Sequence, residues 1–126
     1  MGCQSLTENQ ARLEGNWQLV AVNGEALPKL ARGQQFSANF SGKGSASGSV
    51  ACNRWHGQYE HNAEQIMVSK AATTRKACLL NSTFLSQLER DFLTSLQNAR
   101  IEHLTHQDLV IKDAAGKTLS FVRQGQ

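Results

Sequence analysis

The chain reads as a mainly β, α+β domain: a curved antiparallel sheet or barrel-like structure of about eight short strands, with one α-helix at about 82–97 packed on it. Three observations predict this. Short apolar or alternating stretches recur between turn dipeptides, one segment repeats its apolar residues at helical spacing, and the turns are tight enough to favour antiparallel neighbours.

The elements follow in order. Residues 4–12 are polar without sustained periodicity and read as a tether, which divides the chain into 1–12 and a domain over 13–126. Trp17, Leu19 and Ala21 share one parity while Val20 and Val22 fill the other, predicting a first strand buried on both sides. Asn23-Gly24 supplies a turn. Phe36, Ala38 and Phe40 then line one face, Gly42 and Gly44 turn the chain, and a strand of small residues runs into Cys52. The stretch QYEHNAEQIMVS is another hairpin, turning near His61 and Asn62. Between 81 and 98, Leu85, Leu88, Phe92 and Leu96 recur every three or four residues, joined by Leu93, while Gln87, Arg90, Asp91 and Gln97 face away. Asn81 or Ser82 caps that helix. Three strands near 101–104, 109–112 and 118–122 complete the fold.

Size and composition set the bounds. A chain of 126 residues forms one domain that buries roughly two thirds of its unfolded surface. With 40% hydrophobic and 18% charged residues it is globular rather than disordered, and no apolar run reaches the roughly 18–20 residues of a spanning helix. The net charge of +3 is small and scattered. Its densest basic stretch, Lys70, Arg75 and Lys76, lacks interleaved aromatics, so no nucleic-acid partner is expected and the charges read as a solvated rim.

Candidate chemistry is sparse. Cys3, Cys52 and Cys78 are an odd set, and Gly2-Cys3 is compatible either with the remnant of a bacterial lipoprotein signal or with an ordinary tail thiol; N-myristoylation fails because Leu6 stands where Ser or Thr is needed. Cys52, His56, His61 and Cys78 carry zinc-ligand atoms without the close pair that preorganises a site, and His103 and His106 read as strand-end residues. Gly116-Lys117-Thr118 lacks the leading glycine of a phosphate loop, since Ile111 occupies its place. No catalytic residues, metal or cofactor are assigned. One stretch, NRWHGQY, gathers groups able to stack on and hydrogen-bond a ligand: Arg54, Trp55, His56 and Tyr59 form the candidate ligand or partner surface, weighed against Trp55 or Tyr59 plugging the sheet.

The order LEGNWQLVAVNG, SGSVACNRWHGQYE, TTRKACL, a helix with Glu89 and Phe92, and a closing LVIKDAAGKTLSF resembles the META domain family, as in heat-inducible HslJ-like bacterial lipoproteins, over about 13–122. The family's Gly-Cys-Asn element falls on Ala51, Cys52 and Asn53, its Gly-x-Tyr on Gly57 and Tyr59, and its Thr-x-x-x-Cys on Thr74 and Cys78, which marks Asn53, Gly57 and Thr74 as structural-motif residues. Two positions depart from the pattern. Ala51 stands where glycine would ease left-handed backbone, and Lys76 where an apolar residue is common, so the approach to Cys78 is expected to be solvated.

The resemblance implies export and lipid anchoring at Cys3, with 4–12 as spacer and the domain facing the periplasm from the outer membrane. Lipidation of Cys3 then leaves Cys52 and Cys78 to pair, and closing about 27 residues would contribute roughly 3 to 4 kcal/mol; two buried reduced thiols are the alternative. The expected role is a non-enzymatic, stress-related envelope lipoprotein, a monomer that binds another envelope protein or a small ligand. Small-molecule or glycan binding through the 54–59 surface and inhibition of a secreted hydrolase are the alternatives.

Overall fold

Strands that alternate apolar and polar side chains must hide one face, and here the sheet does so by closing on itself. The structure, a computed structural model, describes residues 13–124, so Cys3 and the expected tether at 1–12 lie outside the described residues. The elements are β1 (Gly15–Val22), β2 (Glu25–Ala26), β3 (Gln35–Phe40), β4 (Ser45–Ala51), β5 (Asn53–His61), β6 (Gln65–Thr73), α1 (Thr83–Gln97), β7 (Ala99–Leu104), β8 (Asp108–Asp113) and β9 (Thr118–Gln124). Antiparallel pairing runs from β1 to β3 and then strand by strand to β9. The ring closes where β9 returns to β1, from Asn16↔Gln124 to Val22↔Leu119. Eight strands therefore form a barrel, while the short β2 only folds back on Ala21 and Val22.

Trp17, Leu19, Phe36, Phe40, Trp55, Ile66, Ile111, Leu119 and Phe121 are buried, and these side chains fill the interior. An eight-stranded ring is about wide enough for that and little more. The weakest seam joins β6 to β7 through only Gln65↔Arg100 and Ile66↔Ala99. Helix α1 connects those two strands and covers the place where they part. Ser82 caps it, its Oγ accepting from the Leu85 amide at 3.1 Å. Leu85, Leu88, Phe92 and Leu96 are its buried stripe. Phe92 reaches Phe36 and Phe121 at centroid distances of 5.6 and 6.3 Å, so one helical side chain joins strands on both sides of β1. Burying it contributes roughly 1.5–3 kcal/mol. Ser95 Oγ donates to Asp113 Oδ2 at 2.6 Å, and the other oxygen of Asp113 accepts from the Ala115 and Lys117 amides, tying the helix to the β8–β9 turn.

Two local features differ from the sequence expectation. β1 is buried on one side, not two: a bulge between Leu19 and Ala21 leaves Val20 37% exposed and shifts Val22 to the inner parity. Ala51 adopts φ +59° although it carries a Cβ, a conformation that costs roughly 1–2 kcal/mol. It lies where β4 turns into β5, immediately before Cys52, and the disulfide and hydrogen bonds that follow hold the turn in place.

Candidate functional site

Strand β5 places the candidate residues, and its period of two separates them. Asn53, Trp55 and Tyr59 are buried, whereas Arg54 and His56 are exposed on the outer wall. The four residues expected to share a ligand surface therefore do not present their side chains together.

Trp55 is only 2% exposed. Its indole N–H donates to the Ser37 carbonyl at 3.0 Å, over the register pair Gly48↔Trp55. That carbonyl is withdrawn from the β3–β4 ladder, and the Ser49 amide donates to Ser37 Oγ at 3.0 Å instead. Glycine is required at 48, because a Cβ there would stand 2.1 Å from Ser37 O and 2.8 Å from the indole nitrogen. Tyr59 is likewise in the core, donating its hydroxyl to the Ser41 carbonyl and packing on Phe40 at 4.8 Å and His61 at 5.6 Å. Burial first, and the charge of Glu14 second, raise the Tyr59 pKa and keep it a donor. Burial lowers the His61 pKa, with Glu14 opposing. The stacking role expected of Trp55 and Tyr59 is thus corrected: both rings are used inside the barrel.

The motif residues converge on one clasp. Cys52 and Cys78 are bonded, with Cα atoms 5.6 Å apart, which resolves the alternative left open by sequence. Asn53 Oδ1 accepts from the Lys76 amide at 2.7 Å and from Thr74 Oγ1 at 2.9 Å, while its Nδ2 donates to the Lys76 carbonyl at 3.0 Å. Thr74 Oγ1 in turn accepts from the Arg54 amide at 3.0 Å. A carboxamide, with acceptor and donors on one flat group, suits this double contact with a backbone. Lys76 itself is exposed, as its polar character demands. Gly57 makes room on the other flank: a Cβ there would lie 2.8 Å from Ser69 O, beside the β6 bulge where Lys70 has φ +56°.

The outer wall carries the exposed candidate residues, Arg54 and His56. Cross-strand register sets Ser47 beside His56 and His56 beside Ala72, so small side chains flank the imidazole on both neighbouring strands. An open depression of about 470 Å³ lies there, lined by Ser47, Gly48, Arg54, His56, Ala72 and Thr73, with buried Trp55 as part of its floor. It offers a hydroxyl, a guanidinium and an imidazole to an outside ligand. Sequence reading missed Ser47, Ala72 and Thr73; only the register between strands could have brought them to His56. Among the described residues no three His, Cys, Asp or Glu side chains form a metal-holding group.

Fold and site define a small closed antiparallel β-barrel, plugged by one helix, with a packed interior and its accessible polar groups on the outer wall. The META domain family model matches residues 9–126, and the chain belongs to that family. The same fold occurs in a solved protein from Burkholderia xenovorans, with TM-score 0.71 and 23% identity over 95% of this chain and 88% of that one. A second structure determined by NMR gives TM-score 0.71 at 24% identity, covering 90% of this chain and 93% of its own. A lipocalin-like protein from Bacteroides uniformis gives TM-score 0.56 at 17% identity, covering 90% of this chain and 99% of that chain. No curated protein matches the sequence.

Proposed function

We propose that this META domain is a non-catalytic binding module of the bacterial envelope, working through the outer wall of β4, β5 and β6. The observation that carries the reading is the contrast between a side-chain-filled barrel and the depression of about 470 Å³ outside it, where Arg54 and His56 stand exposed. A lipocalin-like barrel neighbour supports a ligand-binding scaffold, here with the ligand on the wall. Cys52 is held in the disulfide, so its sulfur is not available as a nucleophile beside His56. Anchoring by lipid on Cys3 in the outer membrane, a periplasmic orientation, a monomeric state and a role under stress complete the proposal, with a small ligand or another envelope protein as partner and no nucleic acid.

Affinity capture from envelope extracts tests it, comparing wild type, the double substitution Arg54→Ala/His56→Ala, and Glu60→Ala farther along the same outer face. A component lost with the double substitution and retained with Glu60→Ala is the expected result; capture indifferent to both substitutions overturns the assigned surface. Metabolic labelling with radioactive palmitate, abolished by Cys3→Ala, is the expected result for the anchor. Leu79, 92% exposed just after the disulfide, favours a second reading as an inhibitor of a secreted hydrolase. Titration of elastase-type proteases with wild type and Leu79→Ala decides it, and absence of inhibition removes it.

A further inference from the structure

The clasp that holds residues 74–78 also displays charge. Asn53 grips Lys76 only through the main chain, by the bonds of 2.7 and 3.0 Å already described, and the disulfide fixes the segment two residues later. The side chains of Arg75 and Lys76 are exposed and project from backbone that is held in place. On the facing side, α1 contributes Glu89, Arg90 and Leu93, and the two groups line an open cleft of about 450 Å³. Its lining carries three cations against one carboxylate. Among the described residues the ion pair found is Lys117 with Asp91, so no carboxylate within 4.0 Å neutralises Arg75, Lys76 or Arg90. Arg90 donates one hydrogen bond to Gln87 Oε1 at 2.8 Å, which leaves other donors of its guanidinium fork available.

We infer that this cleft binds a phosphate-bearing ligand, a phosphomonoester or diphosphate group seated among Arg75, Lys76 and Arg90. Two guanidinium forks and an ammonium supply more donors and more charge than the two oxygens and single charge of a carboxylate can match, whereas phosphate has oxygens for each of them. Glu89 repels an anion from its own side and so directs it toward the cations. Fixed backbone lowers the ordering cost of binding at the loop. The inference goes beyond the binding face at Arg54 and His56: the cleft lies on the other side of Thr73 and Thr74, and each site stands or falls separately.

Titration of the ¹⁵N-labelled, disulfide-intact chain with inorganic pyrophosphate tests it. Saturable amide shifts are expected in residues 73–77 and 89–93, with affinity falling about tenfold or more in Arg75→Gln/Lys76→Gln and in Arg90→Gln, and staying unchanged in the remote Lys43→Gln. These substitutions leave the Asn53 contacts intact, so an unchanged wild-type fold in the same spectra accompanies the loss. Sedimentation with phosphatidylglycerol vesicles, against phosphatidylcholine controls, separates the sources of phosphate. Vesicle binding abolished by the same substitutions assigns a lipid headgroup, and pyrophosphate binding without it assigns a soluble ligand. Absence of saturable shifts, equal sensitivity to Lys43→Gln, or equal competition by succinate overturns the site.

Discussion

The two faces of β5 differ by one residue in register and by nearly everything in use. Inward, Asn53, Trp55 and Tyr59 spend their polar atoms on Lys76, Ser37 and Ser41, so each buried group has its partner. Outward, Arg54 and His56 leave their side chains to solvent, with small residues flanking His56 on the neighbouring strands. Adjacency in sequence therefore says little about sharing a site on a strand; residues two apart, or opposite one another across the ladder, share it.

Substitutions sharpen the contrast in descending order. Trp55→Ala should be the most damaging, at about 3–5 kcal/mol, because it opens a cavity and strands the Ser37 carbonyl; urea unfolding measures it. Replacing Cys52 and Cys78 with serine should cost about 3 kcal/mol, read in the same way and absent from a reduced-versus-reduced comparison with wild type. Asn53→Ala should cost about 1–3 kcal/mol and speed hydrogen exchange at the Lys76 amide, which loses its acceptor. Arg54→Ala and His56→Ala should each stay within about 0.5 kcal/mol of wild type while abolishing the capture described above. A large loss of stability from either outward residue, or a negligible one from Trp55, would erase the distinction between the faces.

Much of this architecture was legible because it rests on local periodicity. The stripe Leu85, Leu88, Phe92 and Leu96 identified the helix, and the alternation of Phe36, Ala38 and Phe40 identified an inner face. Closure was legible only as one of two shapes, a curved sheet or a barrel, since the pairing of β1 with β9 that decides between them depends on contacts between opposite ends of the chain. Bulges concealed more: the extra residue at Val20 sends Val22 inward, so a strand that reads as two-sided is one-sided. The residues of the candidate surface are adjacent in sequence, but the strand divides them between its two faces. Trp55 and Tyr59 could be read either as ligand platforms or as plugs of the sheet, because nothing in their own neighbourhood of sequence announces that Ser37 and Ser41 wait for them across the sheet.

The seam from Asn16↔Gln124 to Val22↔Leu119 carries a consequence for biogenesis. The first strand cannot find its last neighbour until nearly the whole polypeptide has been made, so a chain emerging from the ribosome keeps two bare edges throughout synthesis. Native closure is thus postponed to completion, and a product cut short before β9 is left with adhesive borders that invite aggregation or proteolysis.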